Sequence, residues 1–163
     1  MYYDEAGFCA SPPVQRAWSK IGQTHEVVPA HHQRVTVMGA LDFGAQRLRH
    51  QQVTGSVNRE TFVAFMDDLI PKIAKPEPTF IILDNAGIHH NLDAQITARW
   101  LIQFKTVLCY LPPYSPELNM IEILWKQAKY FWRKFETWSK ESFKEKISDM
   151  LDGFGSKFQI SFL

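Results

Sequence analysis

Residues 79–87 read TFIILDNAG. Phe80 to Leu83 form an apolar run that ends in Asp84, and the turn formers Asn85 and Gly87 follow. A short apolar run bounded by turn residues predicts a strand buried on both faces. In α/β sheets, ligand sites open at the carboxyl ends of such strands, where Asp84 stands.

The neighbouring sequence places this strand in a layered fold. Upstream, Asn58 suits a helix N-cap. Phe62, Phe65, Met66, Leu69, Ile70 and Ile73 then recur with helical spacing, which predicts one buried stripe. Pro71 inside that pattern predicts a kink or an early end. Further upstream, Arg34 to Phe43 alternates as a strand, Gly44 marks a turn, and Gln46 to Val53 returns as the second arm of a hairpin. The segment from Ser11 to His32, with three prolines, reads as an irregular hairpin or flap around Trp18. Downstream, Leu92 to Phe104 reads as a helix with Ile96, Trp100, Leu101 and Phe104 inward, and Thr106 to Leu111 as a strand. A rigid loop, Pro112-Pro113-Tyr114-Ser115-Pro116, precedes helices over about 119–135 and 139–151. Strands alternating with helices predict an α/β layer structure. The order, a hairpin feeding a mixed sheet with crossover helices after it, is ribonuclease-H-like by fold analogy.

Composition narrows the function. The 163 residues are 45% hydrophobic and 21% charged, which is globular. With 18 Lys and Arg against 17 Asp and Glu the net charge is +1, so any nucleic-acid contact must come from local patches. Two cysteines, Cys9 and Cys109, make no disulfide framework or zinc pattern and read as buried thiols of a reducing compartment. No targeting segment or apolar stretch of membrane-spanning length is present, so a cytoplasmic protein without membrane association is expected.

Three acids stand out. Asp4 lies in a first strand, Asp84 ends a buried one, and Glu122 opens the third predicted helix. Converging carboxylates repel one another unless divalent cations relieve them, and Mg²⁺ prefers such hard oxygen ligands. Two ions roughly 3.5–4 Å apart can hold the attacking and leaving oxygens of a phosphoryl displacement. Each acid also has a plain structural reading. Asp84 suits a turn, Glu122 suits a capping partner of Asn119, and Asp4 suits an edge strand. The pairs His31-His32 and His89-His90 invite a zinc reading, but adjacent strand residues point to opposite faces and structural-zinc spacing is missing.

On the third helix, Glu122, Lys126, Lys129 and Arg133 share one face, a basic stripe that suits a phosphate backbone. The same face also reads as solvated, with a Glu122–Lys126 pair. Ile121, Leu124, Ala128, Phe131 and Phe135 form the core side, and core is favoured over a stacking surface for Trp125 and Trp132. Arg47, Arg49 and His50 read as ordinary edge charges.

The flanks of the acids carry a resemblance. YYDEAGF around Asp4, IILDNAGIHH around Asp84 and LPPYSPELNMIEILW around Glu122 resemble the three signature blocks of DDE transposases. The similarity is to the bacterial insertion-sequence branch of the mariner-like superfamily. Block order agrees, the 37 residues between Asp84 and Glu122 suit the branch, and the likeness runs from Tyr2 to about Arg133. The family usually has proline where Met120 stands. The resemblance implies a ribonuclease-H-like catalytic domain with Asp4, Asp84 and Glu122 as catalytic triad, binding two Mg²⁺ or Mn²⁺ ions. It implies hydrolysis at transposon ends, then attack of the freed 3′-hydroxyl on target DNA, by a homodimer acting at the bacterial nucleoid. Asn85 and His89 are expected to assist geometry or contact DNA, as are Lys126, Lys129 and Arg133 for the DNA backbone. A single catalytic domain over 1–163 is expected, without the family's helix-turn-helix modules. The alternatives are an inactive or regulatory remnant that folds and dimerises without recognising DNA ends, and another ribonuclease-H-like nuclease.

Overall fold

The computed structural model describes residues 1–9, 20–22, 34–132 and 140–159. The predicted flap around Trp18, the His31-His32 pair and Arg133 lie outside the described residues.

Among the described residues five strands and four helices follow in order: β1 (Tyr2–Cys9), β2 (Arg34–Asp42), β3 (Arg47–Val53), α1 (Arg59–Ile73), β4 (Thr79–Leu83), α2 (Ala94–Phe104), β5 (Thr106–Tyr110), α3 (Ile121–Trp132) and α4 (Lys140–Asp152). They build one mixed sheet of order β3-β2-β1-β4-β5. The pairs β1/β2 and β2/β3 are antiparallel, and β1/β4 and β4/β5 are parallel. This is the ribonuclease-H-like mixed sheet flanked by helices that the element order predicts. β1 is therefore the central strand, which removes the edge-strand reading of Asp4.

Side chains alternate across β1 and β2, so each strand feeds two cores. Tyr3, Met38 and Ala40 join Ile81, Leu83, the α1 residues Phe62, Phe65, Met66, Leu69 and Ile70, and Trp100 of α2. Ala6, Phe8, Val35, Val37 and Leu41 join the α3 residues Ile121, Leu124, Trp125 and Ala128, and the α4 residues Phe143, Ile147 and Leu151. Burying each large apolar side chain stabilises the fold by about 1.5–3 kcal/mol.

Local signals hold α1 in place. Asn58 Oδ1 accepts from the Thr61 amide at 2.9 Å, and Thr61 Oγ1 accepts from the Asn58 amide at 2.9 Å, a reciprocal cap. Helix α1 runs two residues past Pro71 to Ile73, because burial of Leu69 and Ile70 outweighs the lost hydrogen bond. Three burial expectations need correction. β4 is buried on one face only: Ile81 and Leu83 are buried, but Phe80 is 53% exposed, because α3 and α4 pack across β1, β2 and β3 instead. Leu101 of α2 is 52% exposed, since that helix turns Trp100 inward. The thiols expected to be buried are not: Cys9 is exposed and Cys109 half-buried.

One glycine decides how closely α3 approaches. Gly39 pairs with Asp4 across β1 and β2. A Cβ built on Gly39 would stand 2.6 Å from Trp125 Cζ2 and 2.7 Å from its Cη2. The indole therefore lies against bare backbone, which sets α3, and Glu122 on it, against the strand that carries Asp4.

Candidate active site

Asp4 projects from the centre of β1 toward the α3 side of the sheet, paired in register with Gly39. Asp84 directly follows β4, and Glu122 sits in the first turn of α3. All three line one cavity of about 370 Å³, together with Asn85, Ala86, the loop from Leu111 to Pro116, and Asn119. A larger cleft of about 660 Å³ between β3 and α1 holds none of these acids.

β1 and β4 pair in register at Tyr2 and Ile82, and Met1 bonds to Phe80 and Ile82 beside them. At the next residue the Tyr3 carbonyl accepts a 3.0 Å hydrogen bond from the Asn119 side-chain amide. Asn119 is thus a buried tether between β1 and the start of α3, not the side-chain cap its position suggested. The main chain still closes the first turn, with the Glu122 amide donating to the Asn119 carbonyl at 2.9 Å. The other amide atom, Asn119 Oδ1, is buried without a hydrogen-bond partner among the described residues.

The acids differ in charge environment. Burial, then the charge of Glu122, raises the Asp4 carboxyl to about pKa 7, with smaller pushes from Glu5 and Asp84. Asp84 is held below its ordinary value, first by its contact with His89. Its Oδ1 also accepts from the Ala86 amide at 3.1 Å, so the turn reading and the cavity placement hold together.

His89 lies on the other side of the sheet, fully buried. Its Nδ1 is 2.8 Å from Asp84 Oδ1, and its Nε2 is 3.0 Å from Glu5 Oε1. The first contact is a close ion pair with the oxygen off the N–H axis, since Nδ1 makes no aligned hydrogen bond. Burial favours the neutral ring, but the contacts with Asp84 and Glu5 outweigh it and hold the imidazole up at about pKa 9. The Tyr3 hydroxyl donates to the same Glu5 oxygen at 2.9 Å, and the rings of Tyr3 and Phe62 enclose His89. Of the two roles expected for His89, burial of its imidazole against Asp84 fits assisting geometry and not direct contact with DNA.

Asn85 is exposed at the cavity rim, and its Oδ1 meets His90 Nε2, whose ring stacks on Tyr110 at 4.4 Å. Lys126 and Lys129 are exposed on α3, and no ion pair joins Lys126 to Glu122 among the described residues. Ile121, Leu124, Ala128 and Trp125 are buried, as expected. Sequence reasoning missed Glu5 and Asn119. The signal for Glu5 was strand alternation, which turns a charged residue beside Asp4 into the opposite core, where it needs a partner.

The donor set suits a divalent cation. Three carboxylates line one cavity without sulfur, and hard oxygens are what Mg²⁺ and Mn²⁺ take. Among the described residues no three His, Cys, Asp or Glu side chains already converge as a finished cation cage.

Comparison with known proteins agrees with this architecture. The chain is 28% identical over 127 residues to a 39 kDa protein of insertion element IS630 from Shigella sonnei, and spans 36% of that protein's length. Among solved structures, the Mos1 strand transfer complex matches 96% of this chain and 48% of its own, with TM-score 0.71 and 16% identity. The Mos1 mariner paired end complex with Mn matches 93% and 47%, with TM-score 0.69 and 17% identity. A simian T-cell lymphotropic virus intasome shares the fold at TM-score 0.62 and 8% identity, over 98% of this chain and 49% of its own. The profile of the DDE superfamily endonucleases matches residues 1–144. The chain belongs to the DDE superfamily endonucleases.

Proposed function

We propose that this chain is the catalytic domain of a bacterial DNA transposase, cutting transposon ends and joining the freed 3′-hydroxyl to target DNA with divalent metal ions. The observation that carries this reading is the single cavity lined by Asp4, Asp84 and Glu122, brought there by three elements far apart in sequence.

Asp4, Asp84 and Glu122 would hold two Mg²⁺ or Mn²⁺ ions. When bound, such ions stabilise both the attacking and the leaving oxygen of an in-line displacement at phosphorus. Asp84 stays ionised because His89 and the Ala86 amide hold it so. Asp4 gives up its proton near neutrality, and a bound cation would favour its ionised form. Lys126 and Lys129 contact the DNA backbone beyond Glu122, with Arg133 continuing their face in the sequence, and Asn85 meets the strand at the rim. In the first reaction water attacks the phosphodiester and a strand with a free 3′-hydroxyl leaves. In the second that hydroxyl attacks a target phosphodiester, and a target 3′-hydroxyl leaves. The chain spans about half or less of its relatives, so the partners proposed for the whole protein are paired transposon ends, target DNA and a second copy of itself in the bacterial cytoplasm.

The test is Mn²⁺-dependent nicking of duplex DNA by the chain and by Asp84→Asn. We expect nicking to vanish in the variant, and unchanged cleavage would remove the assignment. An RNA–DNA hybrid run in parallel separates a transposase from a hybrid-cutting nuclease.

A further inference from the structure

We propose that Tyr114 is a nucleobase-binding platform: its ring stacks on a base of the DNA strand whose phosphodiester lies among Asp4, Asp84 and Glu122. The proposal rests on the DNA-cutting reading and adds to it the group that orients the strand.

The loop from Leu111 to Pro116 forms one wall of the cavity. It is fastened at both ends. The Leu111 amide donates to the Leu83 carbonyl at 2.9 Å, at the end of β4 beside Asp84. The Leu118 amide donates to the Ser115 carbonyl at 3.2 Å, and the Asn119 amide to the Pro116 carbonyl at 3.0 Å, just before α3. Pro112, Pro113 and Pro116 fix three further backbone angles. Tyr114 stands in this stiff frame with φ +59°, in the left-handed region.

That conformation is unusual for a bulky residue, and glycine or asparagine would adopt it with less strain. Yet the side chain gains nothing from the fold. Tyr114 is fully exposed, at 101%, and makes no hydrogen bond or ring contact among the described residues. A strained backbone that displays an unburied aromatic ring is not offset by any packing of that ring, and such outliers cluster where a ligand is met.

The occupant follows from the surroundings. It must reach a cavity of cation-binding carboxylates, bring an anionic chain to them, and offer a flat apolar face to a phenol. A nucleotide strand meets all three conditions. Every base has a π-face, so aromatic stacking holds a strand without requiring a particular sequence. Exposed Pro113, next in the chain, lines the same cavity.

The experiment uses the full chain with a partly single-stranded oligonucleotide that carries 2-aminopurine, in Mn²⁺. Affinity and fluorescence quenching are compared for the parent, Tyr114→Phe, Tyr114→Trp and Tyr114→Ala. We expect the alanine variant to bind about five-fold to a hundred-fold more weakly and to lose the quenching, while phenylalanine and tryptophan retain both. Thermal stability should be unchanged or raised in the alanine variant, which a structural role for the ring would not allow. An alanine variant that binds and quenches like a nicking-competent parent overturns the platform alone. A parent that neither binds nor nicks DNA overturns the platform and the reading beneath it together.

Discussion

The side-chain amide of Asn119 donates to the main-chain carbonyl of Tyr3 at 3.0 Å, across 116 residues of chain. This buried bond fixes the entry to α3 against the strand carrying Asp4, and so relates Asp4 to Glu122. Replacing Asn119 by alanine leaves the Tyr3 carbonyl without its partner. We expect a loss of about 1–3 kcal/mol in urea denaturation, with Mn²⁺-dependent nicking falling further than stability explains. Full activity in Asn119→Ala would show that the tether does not position Glu122.

Gly39 makes a second prediction. An alanine there must displace the Trp125 indole, and overpacking of this kind costs about 1–3 kcal/mol. Trp125→Phe in the same chain should recover part of that loss, because it removes the ring atoms that clash. The double-mutant cycle in thermal melts checks the coupling, and simple additivity would deny it.

The buried charges predict how stability varies with pH in the presence of a chelator. The folded-state pKa of Asp4 is raised from 3.8 to about 7, and that of His89 from 6.5 to about 9. Both raised values mean that the folded chain holds protons more tightly than the unfolded one. Their stabilisation is complete below the unfolded value and is lost as pH climbs through the folded one. Stability should therefore decline between about pH 4 and 7 because of Asp4, and again between about 6.5 and 9 because of His89. Asp4→Asn should flatten the lower window and His89→Gln the upper one. Mn²⁺ should raise the melting temperature more at pH 8 than at pH 5.5, since binding must expel the Asp4 proton.

Glu5 never faces the cavity, yet it holds the far side of the imidazole that touches Asp84. Residues that orient a metal ligand from behind typically change affinity 10- to 100-fold when altered. We expect Glu5→Gln to weaken Mn²⁺ binding within that range in calorimetric titration. Unaltered affinity would reduce Glu5 to a core-filling role.

Lys126 and Lys129 should each account for roughly one unit of the slope of log affinity against log salt for duplex DNA. Lys126→Ala and Lys129→Ala are expected to lower that slope in turn, without changing thermal stability, because both side chains lie in solvent.

Much of this was legible in the sequence. Alternation in Arg34 to Phe43 gave the hairpin, the stripe from Phe62 to Ile73 gave α1, and carboxylate chemistry with its flanking blocks singled out Asp4, Asp84 and Glu122. The hidden part is what periodicity does not encode. Strand character in Thr79 to Leu83 is local, but exposure of Phe80 depends on where α3 and α4 come to rest. The pairing of Glu5 with His89 spans 84 residues, and the tether from Asn119 reaches back 116 residues to the central strand. Such contacts arise between side chains whose meeting is settled only when the sheet forms.

The tether has a consequence for biosynthesis. Because Tyr3 is made early and Asn119 more than a hundred residues later, a growing polypeptide on the ribosome holds the first carboxylate without the last. The three acids can share one cavity only after translation has passed α3, so the order of synthesis sets when that site first exists.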